Sequence, residues 1–152
     1  MKKILILLFV LSLVGCASDK GLLELQQMDS VPEKVVILKD APTRAVVLPI
    51  LVEWFSENNY NATVVESLDE VKPEDYVLSY RAWWGWDLAN YMRRANMKVK
   101  LNGKTLGKLR FDALQYGGFG KFGDTENRLK ILLEVLFGKI SREVADKRLG
   151  EQ

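Results

Sequence analysis

The sequence predicts an α+β domain: a mostly antiparallel sheet of about five strands, in the order β-α-β-β-β-β-α, with two main helices packed on one face. Three observations carry this. Apolar and polar residues alternate in three successive runs between residues 76 and 113, the period of half-buried strands. Two stretches, beginning near Pro49 and Thr125, repeat apolar residues at helical spacing. The helical stretches flank the run of hairpins, which favours a two-layer α+β arrangement.

The chain opens with Met1, Lys2 and Lys3, followed by an apolar run from Ile4 to Val14 broken only by Ser12. A basic start, an apolar stretch of about 7–15 residues and a small residue before a cut define a secretory signal. The run is far shorter than the ~20 apolar residues of a membrane-spanning helix. Leu13, Val14, Gly15 and Cys16 resemble a bacterial lipobox. That likeness implies cleavage after Gly15 and lipid on Cys16, the single cysteine of the chain. Residues 1–15 are then a signal peptide, 16–33 the lipidated cysteine and a tether, and 34–150 one domain. A tether of some 17 residues reaches up to roughly 60 Å. Within it, residues 22–28 have the pattern of two helical turns, which order only on docking. Ala17 and Ser18 supply no aspartate after the cysteine, pointing to the periplasmic leaflet of the outer membrane.

Residues 35–38 are a compact apolar run and read as a buried strand, broken by Asp40, Ala41 and Pro42. Proline is disfavoured inside a helix and welcome at its first position, so the first helix is predicted to start at Pro49. Ile50, Leu51, Trp54 and Phe55 then share one face, with Glu53 and Glu57 opposite. Residues 62–65 form a second short strand, and residues 72–75 a turn around Pro73.

From Tyr76 the alternation is explicit. Tyr76, Leu78, Tyr80, Ala82, Trp84 and Trp86 fall on the apolar side, opposite Arg81 and Trp83. Ala95, Met97, Val99 and Leu101 oppose Arg94, Lys98 and Lys100. Leu109, Phe111 and Ala113 oppose Lys108 and Arg110. The turn Asn102-Gly103 suggests a two-residue type I′ hairpin, but the apolar sets are odd-numbered on both flanking strands. A one-residue slip reverses every side chain. The parity therefore predicts a three-residue loop, 101–103, with Gly103 at positive φ in a bulge, Lys100 opposite Lys104 and Ala95 opposite Leu109. Residues 116–123 are a glycine-rich loop with aromatic plugs. Asp124 or Thr125 caps the next helix, Leu129, Leu132, Leu133, Leu136 and Phe137 form its buried stripe, and Gly138 stops it. Residues 141–149 make a short final helix anchored by Val144.

The formal charge is +2, and without Lys2 and Lys3 the chain carries 20 basic and 20 acidic residues. Residues 17–75 hold 12 acids and 5 bases, whereas residues 76–112 hold 2 acids and 8 bases. This asymmetry points to a partner surface. With no histidine and one cysteine, the chain can form no internal disulfide, no Cys/His zinc site and no Ser-His-Asp or Cys-His apparatus. The expectation is a non-catalytic protein with no cofactor and no metal.

The seven residues Arg81, Trp83, Arg94, Lys98, Lys100, Lys108 and Arg110 fall on the polar side of the sheet and form the candidate partner surface. An acidic envelope protein, lipopolysaccharide phosphates or peptidoglycan carboxylates fit it; nucleic acid does not suit the compartment. A solvated sheet whose cations discourage edge pairing is the simpler alternative. Trp84 and Trp86 read as core, leaving Trp83 on the polar face. The glycine-rich loop before Thr125 is no Walker A loop, because Phe122 follows Lys121. Asp87 reads as a turn or capping carboxylate, and the acids around Pro73 as a solvated loop.

Residues 75–137 resemble a family of small, functionally uncharacterised bacterial lipoproteins. The matching pieces are Tyr76-Val77-Leu78-Ser79-Tyr80, Trp86-Asp87-Leu88-Ala89-Asn90-Tyr91, Asn102-Gly103-Lys104, Gly117-Gly118-Phe119 and Lys121-Phe122-Gly123-Asp124-Thr125. The family pattern often has a cysteine before the first piece, where this chain has Asp75, and a tryptophan after the loop lysine, where it has Phe122. The layout is also similar to the small sandwich of other envelope lipoproteins. Neither likeness supplies catalytic residues. The lipobox and the basic sheet face lead to the expectation of an outer-membrane lipoprotein acting as an interaction module, or a lipid- or glycan-binding accessory of an envelope transport or assembly system.

Overall fold

The computed structural model describes residues 21–30 and 32–152. The signal, Cys16 and the first part of the tether lie outside the described residues. Six strands form one sheet in the order β1-β6-β5-β4-β2-β3. They are β1 (Leu22–Gln26), β2 (Lys34–Leu38), β3 (Asn61–Val65), β4 (Tyr76–Asp87), β5 (Ala89–Leu101) and β6 (Lys104–Asp112). Among the described residues three α-helices accompany them: α1 (Val47–Glu57), α2 (Thr125–Leu136) and α3 (Arg142–Gly150). The α+β class holds, but the sheet is mixed. β2 runs parallel to both β3 and β4, and the remaining ladders are antiparallel. The cause is two crossovers: one through α1 between β2 and β3, one through residues 66–75 back across β2 to β4. Such crossovers produce parallel neighbours.

The additional strand is β1, where the sequence suggests helical turns within a tether. Leu22 lies opposite Phe111 and Leu25 opposite Leu109, with Leu23 as the extra residue of a bulge. A seven-residue helix leaves most of its backbone groups to water, whereas the free edge of β6 satisfies them. Beyond the strand, Met28 N–H donates to Leu136 O at 2.9 Å and Gln27 Nε2 donates to Val135 O and Ile140 O at 2.8 Å.

α1 starts two residues earlier than predicted. Pro49 sits in its first turn, where a missing N–H leaves nothing unpaired, and Val47 joins the buried face of Ile50, Leu51, Trp54 and Phe55. Trp54, Phe55, Tyr60 and Phe137 form one ring cluster with centroids 5.1–5.7 Å apart, filling the space between helices and sheet. Asp124 caps α2, accepting from Asn127 N–H at 2.7 Å. At its other end Gly138 has φ +70° and Lys139 N–H closes back on Glu134 O at 2.8 Å. α3 is capped by Ser141 but held by Ala145 and Leu149; Val144 is exposed.

The β5–β6 hairpin corrects one expectation and explains it. Its loop has two residues, Asn102 (φ +47°) and Gly103 (φ +75°), with Leu101 opposite Lys104. The parity is restored further along: Lys100 opposes Thr105 and Val99 opposes Gly107, leaving Leu106 as the bulged residue. Met97 therefore meets Leu109, and Ala95 meets Phe111 rather than Leu109. The apolar odd-numbered residues of both strands do share the helix-covered face.

Candidate functional site

One face of the sheet packs under the helices. On the other lie the side chains of Val77, Ser79, Arg81 and Trp83 from β4, Arg94, Asn96, Lys98 and Lys100 from β5, and Lys108 and Arg110 from β6. All seven candidate surface residues are therefore on the side away from the helices. Their placement follows from the strand period alone. Their pairing does not, because it depends on acids distant in the chain.

Three of the six cations are neutralised at the margins of the face. Arg81 Nη2 donates to Asp40 Oδ1 at 2.7 Å and Arg81 Nε to Asp40 Oδ2 at 3.1 Å. The same carboxylate accepts from Thr43 Oγ1 at 2.6 Å, and Thr43 Oγ1 accepts from Ala82 N–H at 3.0 Å. The Arg81 bonds, with help from Thr43, hold the Asp40 carboxyl below its ordinary pKa against the opposing effect of burial. Arg94 Nε donates to Asp112 at 2.8 Å, and Lys108 pairs with Glu24 of β1. The Lys108 hydrogen bond lowers the Glu24 pKa, aided by the charges of Lys108, Arg110 and Lys98. Lys98, Lys100 and Arg110 form no ion pair among the described residues.

Two hollows adjoin on this face. One, of about 480 Å³, is walled by Arg81, Trp83, Asn96, Lys98, Lys108 and Arg110. The second, also about 480 Å³, is lined by Leu38, Leu68, Val71, Pro73, Val77 and Lys100. Ser79 and Lys98 border both. The apolar wall exists because residues 66–75 cross the face on their way from β3 to β4. The crossing is tied down locally: Ser67 and Glu70 form a capping box, and Asp75 accepts from Lys72 N–H at 2.9 Å and pairs with Lys34 at 3.4 Å. The acids around Pro73 thus serve the loop.

The tryptophans divide differently from expectation. Trp83 is on the open face as predicted, 41 % exposed, and Trp84 packs against the core with Arg44 4.8 Å above its ring. Trp86, predicted as core, is 73 % exposed. The β4–β5 hairpin runs past the helices, so its last residues have nothing to pack beneath. Arg93 is the extra residue of a bulge opposite the Trp83–Trp84 step.

Sequence reasoning missed Arg128, which is fully buried. It reaches from the first turn of α2 into the glycine-rich loop, donating from Nη1 to Lys121 O at 2.8 Å and from Nη2 to Gly120 O. Its guanidinium lies 5.6 Å from the Phe111 ring centre. Gly123 leaves it room, since a Cβ there would fall 2.6 Å from Nη2. The loop is organised by this cation. Asp87 pairs with Lys121 of the loop. Asp40, Glu24 and Asp112 were also illegible as partners of the face. The sole sequence signal was the acidic bias of residues 17–75, which names no pair.

No protein-family model matches the chain, and no curated protein or solved structure matches it.

Proposed function

We propose that this chain is an outer-membrane lipoprotein, facing the periplasm, whose open sheet face is a non-catalytic docking surface for an anionic envelope component. The observation that supports this reading is the group Lys98, Lys100 and Arg110, none of them in an ion pair among the described residues, beside Trp83 on the sheet face opposite the α-helices. Site-specific photocrosslinking from Asn96 in intact cells tests it. The reading requires a discrete crosslinked product that disappears when Lys98, Lys100 and Arg110 are all changed to glutamate. A product unaffected by that reversal refutes it.

The second reading, a lipid-binding accessory, draws on the apolar hollow between residues 66–75 and β4. An acyl chain fits against Leu38, Leu68, Val71 and Val77 while an acidic head meets Lys98 and Lys100. This places the ligand outside the sheet, since the ring cluster fills the interior. Substitution of Val77 by aspartate separates the readings: it removes binding of an anionic amphiphile and spares binding of a purely polar polyanion.

A further inference from the structure

We infer that the tip of the β4–β5 hairpin and the neighbouring glycine-rich loop form a second, membrane-facing surface that inserts into the headgroup region of the bilayer to which the chain is tethered. The inference rests on the membrane-anchoring part of the proposed function. Trp86, Leu88 and Phe119 are 73 %, 83 % and 87 % exposed. They belong to two segments held together by the Asp87–Lys121 ion pair and by an edge-on contact of Tyr91 with Phe122, centroids 5.3 Å apart. Three large apolar side chains at one end of a molecule mark an interaction site, and tryptophan suits the interface between headgroups and acyl chains.

Leu88 argues for function most directly. It has φ +65°, a conformation that costs an ordinary residue and that glycine or asparagine adopts freely. Its side chain gains no burial in return. Neither the turn nor the core explains a leucine at this position.

The bilayer is the occupant because of where the chain leaves the fold. Gly21, the first described residue, accepts from Asp112 N–H at 2.9 Å and lies against Tyr116. β1 begins where β6 ends, and β4 runs in the same direction as β6, so Gly21 lies at the same end of the sheet as the hairpin tip. From the Trp83–Arg94 pair the hairpin runs four more residues to its tip, about 13 Å; Met92 and Tyr91 on the way are buried, and Trp86 and Leu88 at the end are exposed. The five residues from Cys16 to Gly21 span at most about 17 Å. A membrane holding the N-terminal end of that stretch is within reach of the tip.

The test uses the full chain purified from bacterial membranes and reconstituted into phosphatidylethanolamine–phosphatidylglycerol vesicles containing brominated lipid. Bromine quenches tryptophan only at membrane depth. The expected result is quenching that Trp86→Phe abolishes and that Leu88→Asp with Phe119→Asp reduces roughly tenfold. Leu88→Gly weakens quenching while leaving the fold at least as stable, which separates insertion from misfolding. Vesicle-bound protein whose quenching is unchanged by Trp86→Phe, or absent, overturns the proposal and leaves the tip to a protein partner. Mass analysis of the same sample reads the anchor separately: an intact leader without acyl chains defeats the lipidation reading while the quenching still decides the tip. Protein that does not float with vesicles defeats both.

Discussion

Lys98 stands directly opposite Lys108 across the β5–β6 ladder, and of the two only Lys108 has an acid, Glu24, beside it. Like charges facing each other across strands destabilise a sheet. Replacing Lys98 by threonine is expected to raise the melting temperature by ~1–3 °C and to weaken anion binding. Thermal unfolding together with a binding titration checks both. A variant that loses stability and retains binding contradicts the reading of Lys98 as a ligand-directed cation.

Asp40 fixes the edge of the face. Asp40→Asn removes the charge that Arg81 and Thr43 hold, and is expected to lower the melting temperature by roughly 3–6 °C at neutral pH. The pH dependence follows from the depressed pKa. Unfolded Asp40 titrates near ~3.9, so the ion pair contributes fully above that value and its contribution disappears as pH falls through the lower folded value. The gap between wild type and variant therefore closes on acidification below about pH 4. Melting curves at several pH values read it directly.

Arg128 is predicted to govern the glycine-rich loop. Arg128→Ala leaves the carbonyls of Gly120 and Lys121 without their donor and opens a cavity beside Phe111, an expected loss of about 2–4 kcal/mol. Arg128→Lys restores charge but not a planar fork that serves two carbonyls, so it recovers only part of the loss. Limited proteolysis should then cut within residues 117–123 in both variants and not in wild type.

The β5–β6 hairpin shows what a sequence reveals and what it hides. The apolar residues stated that β5 and β6 present their odd-numbered residues to one face, and they do. The position of the extra residue was not stated, because a bulge at Gly103 and one at Leu106 restore the same parity. Asn-Gly decided the loop, and Leu106 absorbed the mismatch. Deleting Leu106 is predicted to join Thr105 directly to Gly107, regularise the ladder and keep Leu109 opposite Met97 and Phe111 opposite Ala95, so that cooperative unfolding persists, measured by urea denaturation. Trp86 was misread for a related reason: alternation assigns a face but not how far the covering helices extend. β1 and the acids Glu24, Asp40 and Asp112 were hidden because their roles arise from pairings between distant parts of the chain. The seven-residue surface was legible because it depends on strand period alone, and the alternating pattern carried that from Tyr76 to Arg110.

Binding of lipopolysaccharide to the purified lipoprotein across a range of salt concentrations tests the central claim most directly, with wild type compared with the Lys98, Lys100 and Arg110 reversal. The account predicts an affinity that falls steeply with salt for wild type and is lost in the reversed protein, while both melt at similar temperatures. Equal affinity and equal salt dependence in the two proteins would contradict it.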